Sequence, residues 1–187
     1  MSRIAPAVPP YPESIQTRLD AIVPKGVEPI LLFRVLARDE RLFARSVGAG
    51  LLDRGHLTLR EREIVILRVC ANNRAEYEWG VHVSIFAERA GLSSEQVAAT
   101  LEPERAAACW TPRDRVVLAL CDELTLGTTV SDAVWVQLAE EFSEEARLEL
   151  LLLCGFYRTI SLLVNTLKLP LEAFSARFPE RGAAGQS

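Results

Sequence analysis

Apolar residues recur at three- and four-residue intervals along most of the chain, and polar caps, glycines and prolines interrupt them where helices should start and stop. From Glu13, the positions Ile15, Leu19 and Ile22 predict a helix that Pro24 ends, and Ile30 to Ala37 predicts a short second one. Asp39 suits an N-cap for a helix over Glu40 to Leu52. Thr58-Leu59-Arg60-Glu61 has the Thr-x-x-Glu form in which cap and third residue satisfy each other's backbone N–H, and Ile64, Leu67 and Val69 carry that helix to about Asn72. Asn72-Asn73 ends it, and the next runs from about Glu76 to Ala90 before Gly91, so the two form a hairpin with a tight connection.

Ser93-Ser94-Glu95-Gln96 opens a short helix with a second capping signature. After a loop through Pro103 and Trp110, Thr111-Pro112 places a cap and a first-turn proline ahead of a helix over Arg113 to Leu126, which Gly127 ends. Ser131-Asp132 caps Ala133 to Glu141, and Ser143 precedes a long helix from Glu144 to Leu167, with Pro170 beyond. No stretch sustains the period-two alternation of a strand. The expected class is all-α.

Composition narrows the picture. With 187 residues, 49% of them hydrophobic, the chain suits one domain with a substantial core. Prolines at 6, 9, 10 and 12 make residues 1–12 an extended arm, residues 13–174 the helical domain, and residues 175–187 a flexible tail. The 21 Lys and Arg against 25 Asp and Glu, without a basic run, argue against nucleic acid as a partner. Leu148 to Leu169 is the one membrane candidate, but Glu149, Arg158, Asn165 and Lys168 interrupt it, so a helix buried in protein is expected and no membrane partner.

Cys70, Cys109, Cys121 and Cys154 are widely scattered, with no CxxC among them, and are expected to be small buried apolar residues. The N-terminus lacks the apolar stretch of a secretory signal, which predicts a cytoplasmic protein.

His82 lies four residues after Glu78, so both side chains share one helix face. A carboxylate beside an imidazole orients the ring and favours its charged form, which makes the pair a candidate proton carrier. Tyr77 and Trp79 flank Glu78, and the face continues through Ile85 and Arg89, so a pocket wall is one reading and an ordinary surface ion pair the other. Trp79 reads as packing or an oligomer contact, and His56 as exposed in a loop.

The stretch Arg60-Glu61-Arg62-Glu63-Ile64-Val65-Ile66-Leu67-Arg68-Val69, followed by Ala75-Glu76-Tyr77-Glu78-Trp79-Gly80-Val81-His82, resembles the carboxymuconolactone decarboxylase family, whose superfamily includes the alkylhydroperoxidase D-type proteins. The resemblance runs from about Phe33 to Glu172 and is most specific in the YEWGVH block. It implies an alkylhydroperoxidase D-like helical bundle built around a helical hairpin and assembled into homo-oligomers, commonly trimers or hexamers. In the peroxidase branch, a glutamate, two cysteines in a CxxC and a histidine four residues later form a proton-relayed dithiol centre. By spacing, the glutamate falls on Glu63 and the histidine on His82, but the cysteine positions fall on Ala75 and Glu78.

Peroxide reduction by that route needs a thiolate and a resolving thiol, which an alanine and a carboxylate do not supply. Cys70 lies upstream without a partner. The decarboxylase branch uses acid–base chemistry without redox cysteines, so the resemblance implies Glu63, Tyr77, Glu78 and His82 as a cofactor-free proton-transfer site for a small organic acid, lactone or enone. Tyr77 would hydrogen-bond an enolate oxygen, and Glu63 would orient His82 or act as second proton carrier. No metal is expected, because only one imidazole lies near the site. The alternatives are a non-catalytic oligomeric ligand-binding protein and a peroxide-reducing protein acting through Cys70.

Overall fold

The computed structural model describes residues 2–49, 51, 53–102 and 107–179. Among them are nine α-helices and no strand: α1 (Glu13–Ile22), α2 (Leu31–Leu36), α3 (Glu40–Ala49), α4 (Leu59–Asn72), α5 (Glu76–Phe86), α6 (Ser94–Ala99), α7 (Pro112–Leu126), α8 (Asp132–Glu141) and α9 (Glu144–Leu167). The helix starts fall where the caps predict. Thr58, Ser93 and Thr111 each close a capping box with Glu61, Gln96 and Asp114, and Ser131 and Ser143 cap α8 and α9.

The ends follow the pattern less closely. α5 stops at Phe86 rather than Ala90, because residues 87–91 turn back with the Leu92 N–H on the Ala87 carbonyl and Gly91 at φ 66°. Leu52, the expected end of α3, and Pro103 lie outside the described residues.

The bundle is built around α4, which packs against α5, α7 and α9. Its Ile64, Val65, Ile66, Leu67 and Cys70 are fully enclosed, so the core has apolar residues on every side of one helix rather than along a stripe. Three charged residues of α4, Glu61, Glu63 and Arg68, are therefore buried and must be paired. Glu61 accepts from Arg113 Nε at 2.6 Å, and Arg68 donates to Asp122 Oδ1 at 2.6 Å and the Thr100 carbonyl at 2.8 Å. Cys70, Cys121 and Cys154 are buried as small core residues, and Cys109 is half-buried; the Cys121 and Cys154 thiols meet at 3.8 Å between α7 and α9.

The tail expected from residue 175 is instead docked through residue 179, along the outer side of α5. The Ala176 N–H bonds the Gly80 carbonyl at 3.2 Å and Ser84 Oγ at 2.8 Å, the Phe178 N–H bonds Glu76 at 3.0 Å, and the Phe178 ring stands edge-on to Trp79. Burial of two aromatic rings and these backbone bonds outweigh the segment's chain entropy. A Cβ at Gly80 would run into the Ala176 carbonyl oxygen. Gly80→Ala is therefore expected to lose about 1–3 kcal/mol of stability and to make the segment after residue 170 cleavable, as thermal unfolding and limited proteolysis would show.

The arm of residues 2–11 lies on its own chain. The Arg3 N–H bonds the Leu167 carbonyl at 2.8 Å, and the Ala7 N–H bonds the Arg34 carbonyl at 2.9 Å.

Candidate active site

Glu63 on α4 lies ten residues before the connection at 73–75 and His82 on α5 seven after it, so an antiparallel hairpin brings the two within reach of each other. That connection is tight: Arg74 takes a left-handed conformation (φ 52°), the Ala75 N–H closes on the Cys70 carbonyl, and Asn165 of α9 holds the Asn73 carbonyl at 2.9 Å. The result is a direct contact, His82 Nδ1 to Glu63 Oε2 at 2.9 Å. On the other side of the ring, Nε2 is 3.4 Å from Glu78 Oε1 one helical turn away.

The imidazole is thus held between two carboxylates, all three groups being buried, with Glu63 only 1% exposed. Burial by itself lowers the His82 pKa, but the charges and hydrogen bonds of Glu63 and Glu78 together outweigh it and raise it to about 10. His82 is charged at neutral pH and enters chemistry as a proton donor or a fixed positive charge. Each carboxylate has one buried oxygen without a hydrogen-bond partner, Glu63 Oε1 and Glu78 Oε2.

A fourth group completes the centre. Tyr157 from α9 places its hydroxyl 3.3 Å from His82 Nε2, with the two rings at right angles and 5.2 Å apart. Burial, and then the charges of Glu78 and Glu63, push its pKa well above the ordinary tyrosine value, so it keeps its proton. When the charged imidazole donates through Nε2, the Tyr157 O–H remains available to donate elsewhere. The sequence offers no local signal for this residue, since Tyr157 lies 75 positions from His82 and occupies a position that reads as the core face of a long amphipathic helix.

Tyr77, expected at the site, is engaged elsewhere. Its hydroxyl accepts from the Leu32 N–H at 3.1 Å and donates to Glu172 Oε1 at 2.5 Å, and Glu172 also takes the Leu31 N–H at 2.6 Å. One residue along a helix is a rotation of about 100°, which carries position 77 off the face shared by 78 and 82. Tyr77 therefore ties α5 to the start of α2 and to the docked tail. Trp79 is a packing residue, its indole N–H donating to Thr100 Oγ1 at 2.9 Å. Along the His82 face, Ile85 emerges at the surface and Arg89 lies over the Phe86 ring, so no pocket wall continues that far.

Ala75, at the first cysteine position of the dithiol branch, is fully buried. Cys70 is also buried; burial, and then the Glu78 charge, push its thiol pKa far up, while Ser161 Oγ is 3.9 Å from its sulfur. A group in that state is a poor nucleophile. His56 is exposed in its loop, its backbone N–H held by Glu149 Oε2 at 2.6 Å.

His82 also makes stability depend on pH. Its folded pKa lies above the ordinary 6.5, so the folded state binds its proton more tightly than the unfolded chain does. The resulting stability is fully present below about pH 6.5 and is lost as pH rises through about 10. Denaturant midpoints across that range should fall for the native chain, and fall less for a variant lacking His82.

The fold is the alkylhydroperoxidase D-like helical bundle, here with a carboxylate–imidazole–carboxylate centre and no CxxC. Residues 41–123 match the model of the carboxymuconolactone decarboxylase family. An uncharacterized peroxidase-related protein from Silicibacter sp. TM1040 superposes with a TM-score of 0.78 at 16% identity, covering 95% of this chain and 99% of the other. An alkylhydroperoxidase core, an uncharacterized peroxidase-related protein from Ralstonia eutropha JMP134, gives 0.73 at 20% identity over 87% of each chain. The debrominase Bmp8, as a cysteine-to-alanine variant in complex with 2,3,4-tribromopyrrole, gives 0.72 at 16% identity over 92% and 95%. No curated protein matches the sequence.

Proposed function

We propose that this protein is a cofactor-free acid–base enzyme acting through an enolate on a small organic acid, lactone or enone. The observation that carries this reading is the charged His82 between Glu63 and Glu78, each with one buried oxygen left unpaired. An unsatisfied buried acceptor costs on the order of 1–3 kcal/mol. A packing role leaves that cost unexplained, whereas oxygens facing a reacting group account for it.

In this mechanism Glu78 Oε2 takes a proton from the carbon next to a carbonyl, and the C–H electron pair moves onto the carbonyl oxygen. The Tyr157 O–H and the His82 charge stabilise the resulting enolate. Protonation at the far carbon of a conjugated system by His82 completes an isomerisation, and Glu78, which holds the abstracted proton, returns it to His82 Nε2, 3.4 Å from its Oε1, while Glu63 keeps the ring oriented through Nδ1. For a lactone carboxylate, loss of carbon dioxide generates the same kind of enolate, and only the protonation step is needed. The tribromopyrrole complex of the debrominase supports a small ring as the substrate scaffold.

A non-catalytic ligand-binding role has one observation in its favour. Two clefts of about 510 Å³ lie away from His82, one beside α1 and residues 24–29, the other between α5, α6 and the docked tail. Deuterium uptake separates the two readings. A panel of lactone and enone acids incubated in D2O should exchange at the carbon next to the carbonyl with the native protein and not with Glu78→Gln. Exchange no faster than in buffer across the panel would favour the binding protein, and exchange undiminished in Glu78→Gln would remove that residue from the mechanism.

A further inference from the structure

Arg62 differs from the other arginines of α4. Arg60 pairs with Asp114 at 2.9 Å and Arg68 with Asp122 at 2.6 Å, so each has a carboxylate for its charge. Arg62, half-buried beside Glu63 on the same helix, has none among the described residues. Its Nη1 donates to the carbonyls of Leu51 and Asp53. Its Nε is buried and makes no hydrogen bond, although an unpaired buried donor is costly.

The guanidinium is nevertheless held firmly. Leu51 takes the left-handed conformation (φ 47°), which a leucine rarely adopts, and its carbonyl lies 3.1 Å from Nη1. Backbone strain of that kind persists where the surrounding structure fixes a group for use. With Nη1 tied down, the free edge is Nε and Nη2, two parallel N–H donors whose spacing matches the two oxygens of a carboxylate.

This edge belongs to the His82 centre. Burial, and then Glu78, Glu63 and Cys70, raise the Tyr157 pKa, and Arg62 acts against them, so its charge is felt at the Tyr157 hydroxyl. That hydroxyl is 3.3 Å from His82 Nε2. Two carboxylates against one imidazolium leave the centre with a net negative charge, which repels an organic acid. Arg62 offsets it.

We propose that Arg62 binds a carboxylate of the substrate through Nε and Nη2, so that the substrate is a small organic acid, with its reacting carbon toward Tyr157 and His82, rather than a neutral lactone or enone. This rests on the acid–base reading of His82, Glu63 and Glu78, and narrows it.

Acetate, the carboxylate alone, tests the site without turnover. In nitrogen-labelled native protein, the NMR signal of the Arg62 Nε–H, identified by its absence from Arg62→Lys, should move saturably with millimolar acetate and not with chloride at equal ionic strength. Each acid of the D2O panel is then compared with its methyl ester. The native chain should reach half-maximal exchange at an acid concentration at least tenfold below that of the ester, and Arg62→Gln should lose that preference while still exchanging the ester. An Nε–H signal that acetate leaves in place, or esters exchanged at the same concentrations as acids, would overturn the proposal. A saturable acetate shift without exchange on any acid would keep Arg62 as a carboxylate site and remove the acid–base reading instead.

Discussion

Substituting glutamine for His82 is expected to slow turnover on an enolisable substrate by roughly a hundredfold or more. Glutamine fills much of the same volume and keeps hydrogen-bonding capacity, but it carries no charge and has no proton to exchange near neutral pH. The variant also leaves Glu63 and Glu78 without their shared counter-charge, so a loss of activity alone would be ambiguous. Glu63→Gln/His82→Gln removes one of the two carboxylates with the imidazole. If that double variant regains the stability of the native chain and stays slow, the defect is chemical. Native turnover in a folded His82→Gln protein would exclude His82 from the reaction.

The second large effect is on the fold. His82→Leu should lower the unfolding free energy by about 3–5 kcal/mol, because removing one partner of a buried ionic group strands the others in a medium that solvates them poorly. Glu63→Gln/Glu78→Gln on the same background should recover much of that loss, since amides leave no buried charge to strand. Denaturant midpoints of the native, single and combined variants form a cycle that isolates the coupling. An additive outcome would mean that the 2.9 Å contact between Glu63 and His82 contributes little in solution.

Much of the architecture was legible in the sequence because its helix starts are marked by local chemistry. The capping boxes at Thr58 and Ser93 each concern four residues and form as their side chains predict, and Thr111 caps α7 as expected, closing a box with Asp114 as well. Helix ends were less legible: Gly91 marks a turn, but not that α5 unwinds four residues before Ala90. The site was readable in part. The i,i+4 relation of Glu78 and His82 is local, yet their separation, 3.4 Å, is longer than the 2.9 Å to Glu63, which is 19 positions away and came only through the family resemblance.

Tyr77 and Tyr157 show why the remainder was hidden. The first attracted attention by standing beside Glu78, but adjacency along a helix points side chains apart. The second reaches the imidazole from a helix whose relation to α5 is set by core packing, and nothing in its own neighbours signals that approach. The apolar run that the sequence assigned to a buried helix is half right: α9 buries one face and presents three leucines on the other.

The contacts of residues 172–178 with α5 link positions 90 to 102 apart in the chain. Closing so long a loop is entropically slow to be repaid, so these contacts belong to the late stages of folding. Until they form, the Trp79 side of α5 is bare and the Tyr77 hydroxyl has lost its carboxylate. A chain emerging from a ribosome therefore carries that helix unsealed until residues 172–178 have been made.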